Sequence, residues 1–123
     1  MFNPSLGFVL LFVKDPLTSA RFYEEILGLK LVQQSPTFVM FALPNGIMLG
    51  LWSYQTASPD VTAQPGASEI AFAHQDIDSS YAQWKKMGIA IAQEPTDMNF
   101  GRTFTVLDPD GHRIRIYAMA VGR

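Results

Sequence analysis

Apolar residues run almost unbroken over residues 6–13, the pattern of a strand covered on both faces. The period then changes. Asp15 stands before Pro16, an N-cap followed by the residue best suited to a first helical position. Leu17, Ala20, Tyr23 and Leu27 form one apolar stripe, with Phe22 and Ile26 beside it, and Gly28 supplies a left-handed stop. Residues 29–33 read as a strand and Ser35-Pro36 as a turn. Residues 37–43 and 47–52 read as a hairpin closed around Asn45-Gly46.

The pattern then repeats. Residues 68–73 are a predicted strand, and Asp76 or Asp78 caps a helix that buries Tyr81 and Trp84 and stops at Gly88. Residues 89–93 follow as a strand and 94–99 as a loop. Residues 101–107 pair with 113–117 around Asp108-Pro109-Asp110-Gly111. Local words recur as well: Leu27-Gly28-Leu29-Lys30-Leu31 matches Met87-Gly88-Ile89-Ala90-Ile91, and Pro44-Asn45-Gly46 matches Pro109-Asp110-Gly111. A repeat this long, with its own helix and hairpin, is a half-domain and not a solenoid unit. The expectation is an α+β protein of two βαβββ modules, forming a cup-shaped, mixed, eight-stranded sheet with the helices outside. The single domain spans residues 1–123, with module 1 over about 6–53, a linker rich in Pro, Ser, Thr and Ala over 54–67, and module 2 over about 68–119.

Composition narrows the function classes. The net charge is −2, the sequence pI is near 5.5 and no Lys/Arg run occurs, which argues against a nucleic-acid surface. There are no cysteines, so disulfides, thiolate metal sites and cysteine nucleophiles are excluded. The first apolar run is too short to span a bilayer and has no basic lead, so a cytoplasmic protein without membrane partners is expected. Nine Phe, four Tyr, two Trp and six Met are many flat and soft side chains for so small a domain, and most of them are expected to fill the core.

The order of elements, with Val13-Lys14-Asp15, Phe22-Tyr23-Glu24-Glu25-Ile26-Leu27-Gly28-Leu29 and the closing Asp108-Pro109-Asp110-Gly111-His112, resembles the vicinal oxygen chelate superfamily of glyoxalase I, bleomycin-resistance proteins and extradiol dioxygenases. Leu51-Trp52-Ser53 and Phe100-Gly101-Arg102-Thr103-Phe104 look closest to phenazine-antibiotic resistance proteins, which bind their drug without destroying it. The resemblance implies a homodimer. It also marks four inward positions that hold a divalent ion in the enzymes, and here these look like Phe8, Gly50, Glu69 and Arg115. Phe8 and Gly50 offer no side-chain ligand, Arg115 is a fixed cation, and Glu69 alone cannot hold a metal. His74 and His112 are an odd number of residues from Glu69 and Arg115, so strand alternation turns them away, and both are expected at the surface or in turns. No metal and no cofactor are expected.

Alternation also gives the inward set. Phe8, Leu10 and Phe12 share a face, as do Met48, Gly50 and Trp52, then Glu69, Ala71 and Ala73, then Arg113, Arg115 and Tyr117. Pairing around the final turn sets Phe104 opposite Arg115 and Arg102 opposite Tyr117. Phe38 and Phe41 have opposite parity, so only one of them faces the cavity. Gly50 among large neighbours is expected to leave a hole in which a planar ligand reaches the backbone, and Arg102 or Arg115 is a candidate carboxylate holder. Glu69 and Arg115 are expected to pair, since a lone buried charge is costly.

The ligand-binding set is therefore Phe8, Phe38, Phe41, Met48, Gly50, Trp52, Glu69, Arg102, Phe104, Arg115 and Tyr117, with no catalytic residue. The expected function is sequestration of a small planar aromatic compound, an antibiotic of phenazine or bleomycin type. The alternatives are a metal-dependent lyase or dioxygenase of the glyoxalase type, and a carrier or regulatory module for another metabolite.

Overall fold

A computed structural model describes residues 2–120. The chain divides after Pro65 into two compact units, one per repeat. The first holds β1 (Phe8–Val13), α1 (Pro16–Leu27), β2 (Lys30–Gln34), β3 (Phe38–Ala42) and β4 (Met48–Ser53). The second holds β5 (Glu69–Ala73), α2 (Ile77–Lys86), β6 (Ile91–Met98), β7 (Gly101–Leu107) and β8 (Arg113–Met119). Each is the expected βαβββ module. The eight strands divide into two four-stranded mixed sheets, ordered β1-β4-β3-β2 and β5-β8-β7-β6. In both, the first strand runs parallel to the last, and the other pairings are antiparallel.

In the first unit, α1 begins where Asp15 accepts from the Leu17 amide at 3.2 Å, with Pro16 at the first position, and ends on Gly28 at φ 62°. It lies over β2, β3 and β4. Tyr23 meets Phe41 with ring centroids 6.3 Å apart, and Leu11, Val13, Val39, Leu49 and Leu51 complete the core beneath it. In the second unit, α2 sets Tyr81 and Trp84 edge-on to the buried Phe104, at 5.7 and 5.5 Å, above Val106, Ile114 and Ile116. Asp76 stands at the N-cap without a side-chain cap bond; the Asp78 carboxylate accepts from Arg102. Strand β6 continues to Met98, through residues expected to form a loop, because register shifts on either side of Gln93 accommodate Pro95. No helix among the described residues is long and apolar enough to cross a membrane.

The two hairpin turns have one design. The Leu43 amide donates to the Ile47 carbonyl, and the Asp108 amide donates to the His112 carbonyl. The turn therefore takes in His112 as well as the expected 108–111. His112 thus lies in the turn, as expected, but it is buried there, at 3% exposed. Asp108 Oδ1 accepts from the amides of Asp110 and His112, and Oδ2 meets His112 Nδ1 at 2.9 Å. His112 Nε2 accepts from the Gly66 amide at 3.0 Å, so the imidazole proton is on Nδ1 and is donated to Asp108. Gly66 has φ 106°, and a Cβ there would strike the Asp110 carbonyl oxygen, so only glycine brings this amide to the ring. Replacing His112 by Ala strips a buried carboxylate and an amide of partners. It should lower unfolding free energy by about 1–3 kcal/mol and expose the Gly66 amide to hydrogen exchange. Unchanged exchange at Gly66 would show that the ring does not hold that amide.

Candidate functional site

Each sheet has one face under its helix and one face the helix does not cover. In the first unit the uncovered face is apolar. The pairings Phe8↔Met48, Leu10↔Gly50, Phe12↔Trp52 and Phe38↔Trp52 bring these residues onto it. Phe38 stands perpendicular to Trp52 (88°, centroids 6.1 Å), and Phe12 is tilted against the same indole at 6.2 Å. Phe8, Leu10, Phe38 and Trp52 line an open groove of about 410 Å³. Phe8 and Leu10 remain 44% and 40% exposed.

Two expectations for this face are corrected. Phe41 pairs with Leu49 and is fully buried against Tyr23, so the aromatic of β3 on the open face is Phe38. Gly50 leaves no hole. A Cβ there would come within 2.6 Å of Leu10 Cδ2 and 3.0 Å of Phe38 Cζ, so these two side chains already occupy the space that glycine vacates. Gly50 is the floor under Leu10 and Phe38 and has no free surface for a ligand. Met48 stays on the open face, half-buried beside Phe8.

In the second unit the uncovered face carries charge. Arg115, its side chain 13% exposed, donates from Nε to Glu69 Oε2 at 2.9 Å and from Nη2 to Oε1 at 3.5 Å. Its Nη1 donates to Gln93 Oε1 at 2.9 Å and to Thr103 Oγ1 at 3.4 Å. Arg113 Nε lies 2.7 Å from Glu69 Oε1. The expected Glu69–Arg115 pair is thus formed and is one side of a larger network. The hydrogen bond from Arg115, with the charges of both arginines, holds the Glu69 carboxyl below its ordinary value against the smaller opposing effect of burial. Beside the network, Met98, Phe100, Tyr117 and Met119 help line a groove of about 510 Å³, with Phe100 edge-on to Tyr117 at 6.2 Å.

Arg102 and Phe104 do not belong to this face. The observed pairs are Phe104↔Ile116 and Arg102↔Ala118, one residue from the expected register, because His112 lengthens the turn. A shift by one residue exchanges faces. Phe104 packs under α2, and Arg102 grips Asp78 at 2.8 Å and Asp97 at 2.9 Å, which raises its already high pKa. Thr103 and Thr105 stand in their place opposite Tyr117 and Arg115. The matching turn in the first repeat, from Leu43 to Ile47, was the signal that would have located them.

The four positions marked for a metal do not suit one. Phe8 has no donor atom, Gly50 has none and is covered, Glu69 has both oxygens in contact with guanidinium groups, and Arg115 is a cation. Asp108, Asp110 and His112 bring potential ligand atoms within 4.8 Å of one another. Both nitrogens of His112 and both Asp108 oxygens already engage protein groups, so the cluster serves the turn.

Comparison with known proteins is consistent with this geometry. A family model described as Glyoxalase/Bleomycin resistance protein/Dioxygenase superfamily matches residues 5–116. The phenazine antibiotic resistance protein EhpR of Enterobacter agglomerans is 32% identical over 113 residues, covering 87% of this chain and 86% of EhpR. Among solved structures, the solution NMR structure of protein ATC0852 from Agrobacterium tumefaciens superposes with a TM-score of 0.83 at 44% identity, covering 96% of this chain and 99% of that one. A glyoxalase/bleomycin resistance protein/dioxygenase from Nocardioides reaches a TM-score of 0.81 at 25% identity, over 100% of this chain and 88% of its own.

The Glu69 network has a pH signature. A carboxyl with a depressed folded pKa adds stability at pH values above its unfolded pKa, and that stability is lost as pH falls through the folded value. The stability difference between wild type and Glu69→Gln should be constant above about pH 5 and shrink below about pH 4. Urea titrations across this range measure it; a difference that grows on acidification would contradict the network.

Proposed function

The chain belongs to the Glyoxalase/Bleomycin resistance protein/Dioxygenase superfamily, and we propose that it is a binding protein that sequesters a small planar aromatic compound of the phenazine kind without breaking a bond in it. The observation that carries this reading is the open groove of Phe8, Leu10, Phe38 and Trp52. Its volume of about 410 Å³ is in the range of small-molecule sites, and its walls are flat apolar groups, the anatomy of a pocket for rings. Each stacked aromatic contributes roughly 0.5–1.5 kcal/mol beyond area burial. Phe100 and Tyr117 offer a second aromatic surface on the open face of the other sheet, with Glu69 and Arg115 as its polar groups. The likeness to EhpR, a phenazine antibiotic resistance protein, supports the ligand class and a role in resistance.

The mechanism is a lowered free ligand concentration in the cytoplasm. Desolvation of ring faces drives it, and the residues at the former metal positions supply no ligand set for a Lewis acid. The reading includes a homodimer, supported by large apolar side chains left exposed at Phe8, Leu10, Met98 and Met119.

Titration with phenazine, followed by Trp fluorescence and calorimetry, tests the function. Trp52→Ala should weaken binding at least about tenfold, ~1.4 kcal/mol, with the circular dichroism spectrum kept. Unchanged affinity would remove Trp52 from the site. Stoichiometric divalent metal in protein purified without chelator, together with turnover of the bound compound, would replace this reading with the lyase or dioxygenase alternative.

A further inference from the structure

A glycine stands in the middle of β4 with no conformational need for one. Gly50 is not among the glycines with positive φ, and it sits in no turn. Glycine inside a strand weakens it, because the unfolded chain has more freedom to lose and no side chain packs. What the position lacks is room. A Cβ would come within 2.6 Å of Leu10 Cδ2, 3.0 Å of Phe38 Cζ and 3.1 Å of Phe38 Cε1. Two side chains, one from β1 and one from β3, meet over this one backbone position.

Both are hemmed in. Leu10 stands between Phe8 and Phe12 on the same face of β1. Phe38 has the Trp52 indole at its side, perpendicular and 6.1 Å away. Strand β4 lies beneath them. A methyl group added at Gly50 therefore lifts both side chains toward the open side, which is the groove. The lift falls at the centre, because Leu10 pairs with Gly50 midway between the Phe8–Met48 and Phe12–Trp52 pairs. At about 3.3 Å per residue, the four residues from Met48 to Trp52 set the two ends of the groove about 13 Å apart.

We propose that Gly50 selects the length of the ligand: the flat floor it allows suits three fused rings lying along the strands, against Phe8 at one end and Trp52 at the other. This rests on the preceding reading that a planar aromatic is bound in the Trp52 groove. Three fused rings form a rigid plate long enough to touch both ends, and two do not. A raised centre tips a long plate off one end, whereas a short plate rests at one end and is unaffected. Gly50 is a positioning residue. It acts through Leu10 and Phe38 and touches no ligand itself.

The probes are phenazine and quinoxaline, the three-ring and two-ring members of one diazine series, titrated into the full chain by calorimetry. In Gly50→Ala, phenazine should bind about tenfold more weakly, ~1.4 kcal/mol, and quinoxaline should change by less than about twofold. Gly50→Ala/Leu10→Val removes the Leu10 Cδ2 atom that the new methyl would strike, and should restore most of the loss. Equal losses for both probes, or none for either, would overturn length selection and leave the aromatic-binding reading standing. An unrescued double variant would overturn the route through Leu10. A measurement on the wild type stands whether or not Gly50→Ala folds: NOEs from phenazine should reach Leu10 and Phe38 and not the Gly50 Hα protons. NOEs to Gly50 would show a ligand on the backbone and overturn the floor. Failure of the wild type to bind either probe would overturn both readings together.

Discussion

Register in the last hairpin is the constraint on which the chemistry of this protein depends. A strand side chain has two choices of face, and the turn decides which it takes. His112 is drawn into that turn by the Asp108 carboxylate on one ring nitrogen and the Gly66 amide on the other. With His112 included, Leu107 pairs with Arg113, and every residue of β7 takes the face it has. Phe104 goes under the helix to complete the core. Thr103 goes to the open face, where its hydroxyl receives Arg115. A turn shorter by one residue would pair Phe104 with Arg115, leaving Phe104 on the open face and Thr103 buried against α2. The dyad of Asp108 and His112 has the look of a catalytic or metal-binding pair and acts as a spacer.

The two modules solve the same packing problem and then diverge. In both, a helix covers one side of a four-stranded sheet, and alternate residues are left on the other. At matching ends of the modules stand Trp52 and Tyr117, with Gly50 and Arg115 two residues before them on the same face. The first face is apolar, and Gly50 lets Leu10 and Phe38 settle onto β4. The second carries one acid, Glu69, and two bases, Arg113 and Arg115. The groups around Glu69 are guanidinium donors, which hold it ionised and occupy both of its oxygens.

Much of this was legible in the chain. The helix caps at Asp15 and Gly28 and the repeat of βαβββ follow from local chemistry and from alternation, which act over a few residues, whereas the pairing of Glu69 with Arg115, 46 residues apart, was expected from the family resemblance. The site residues separate into two groups by the same test. Phe8, Met48, Trp52, Glu69, Arg115 and Tyr117 needed only parity within one strand, and they lie on the face that parity gave them. Phe104 and Arg102 needed the length of a turn, and that length was set by a histidine and a glycine far apart in sequence. Phe41 and Phe38 could be told apart only by the pairing of β3 with β4.

Sequence by itself determined which residues form most of the strands and helices and that the unit is duplicated. Those are matters of residue type and spacing. Tertiary structure decided that Gly50 is a floor and not a hole and that Arg102 serves the helix. Each of these depends on what a distant segment places against the residue, and the competition for one carboxylate or one vacant Cβ volume is settled only when the strands are side by side.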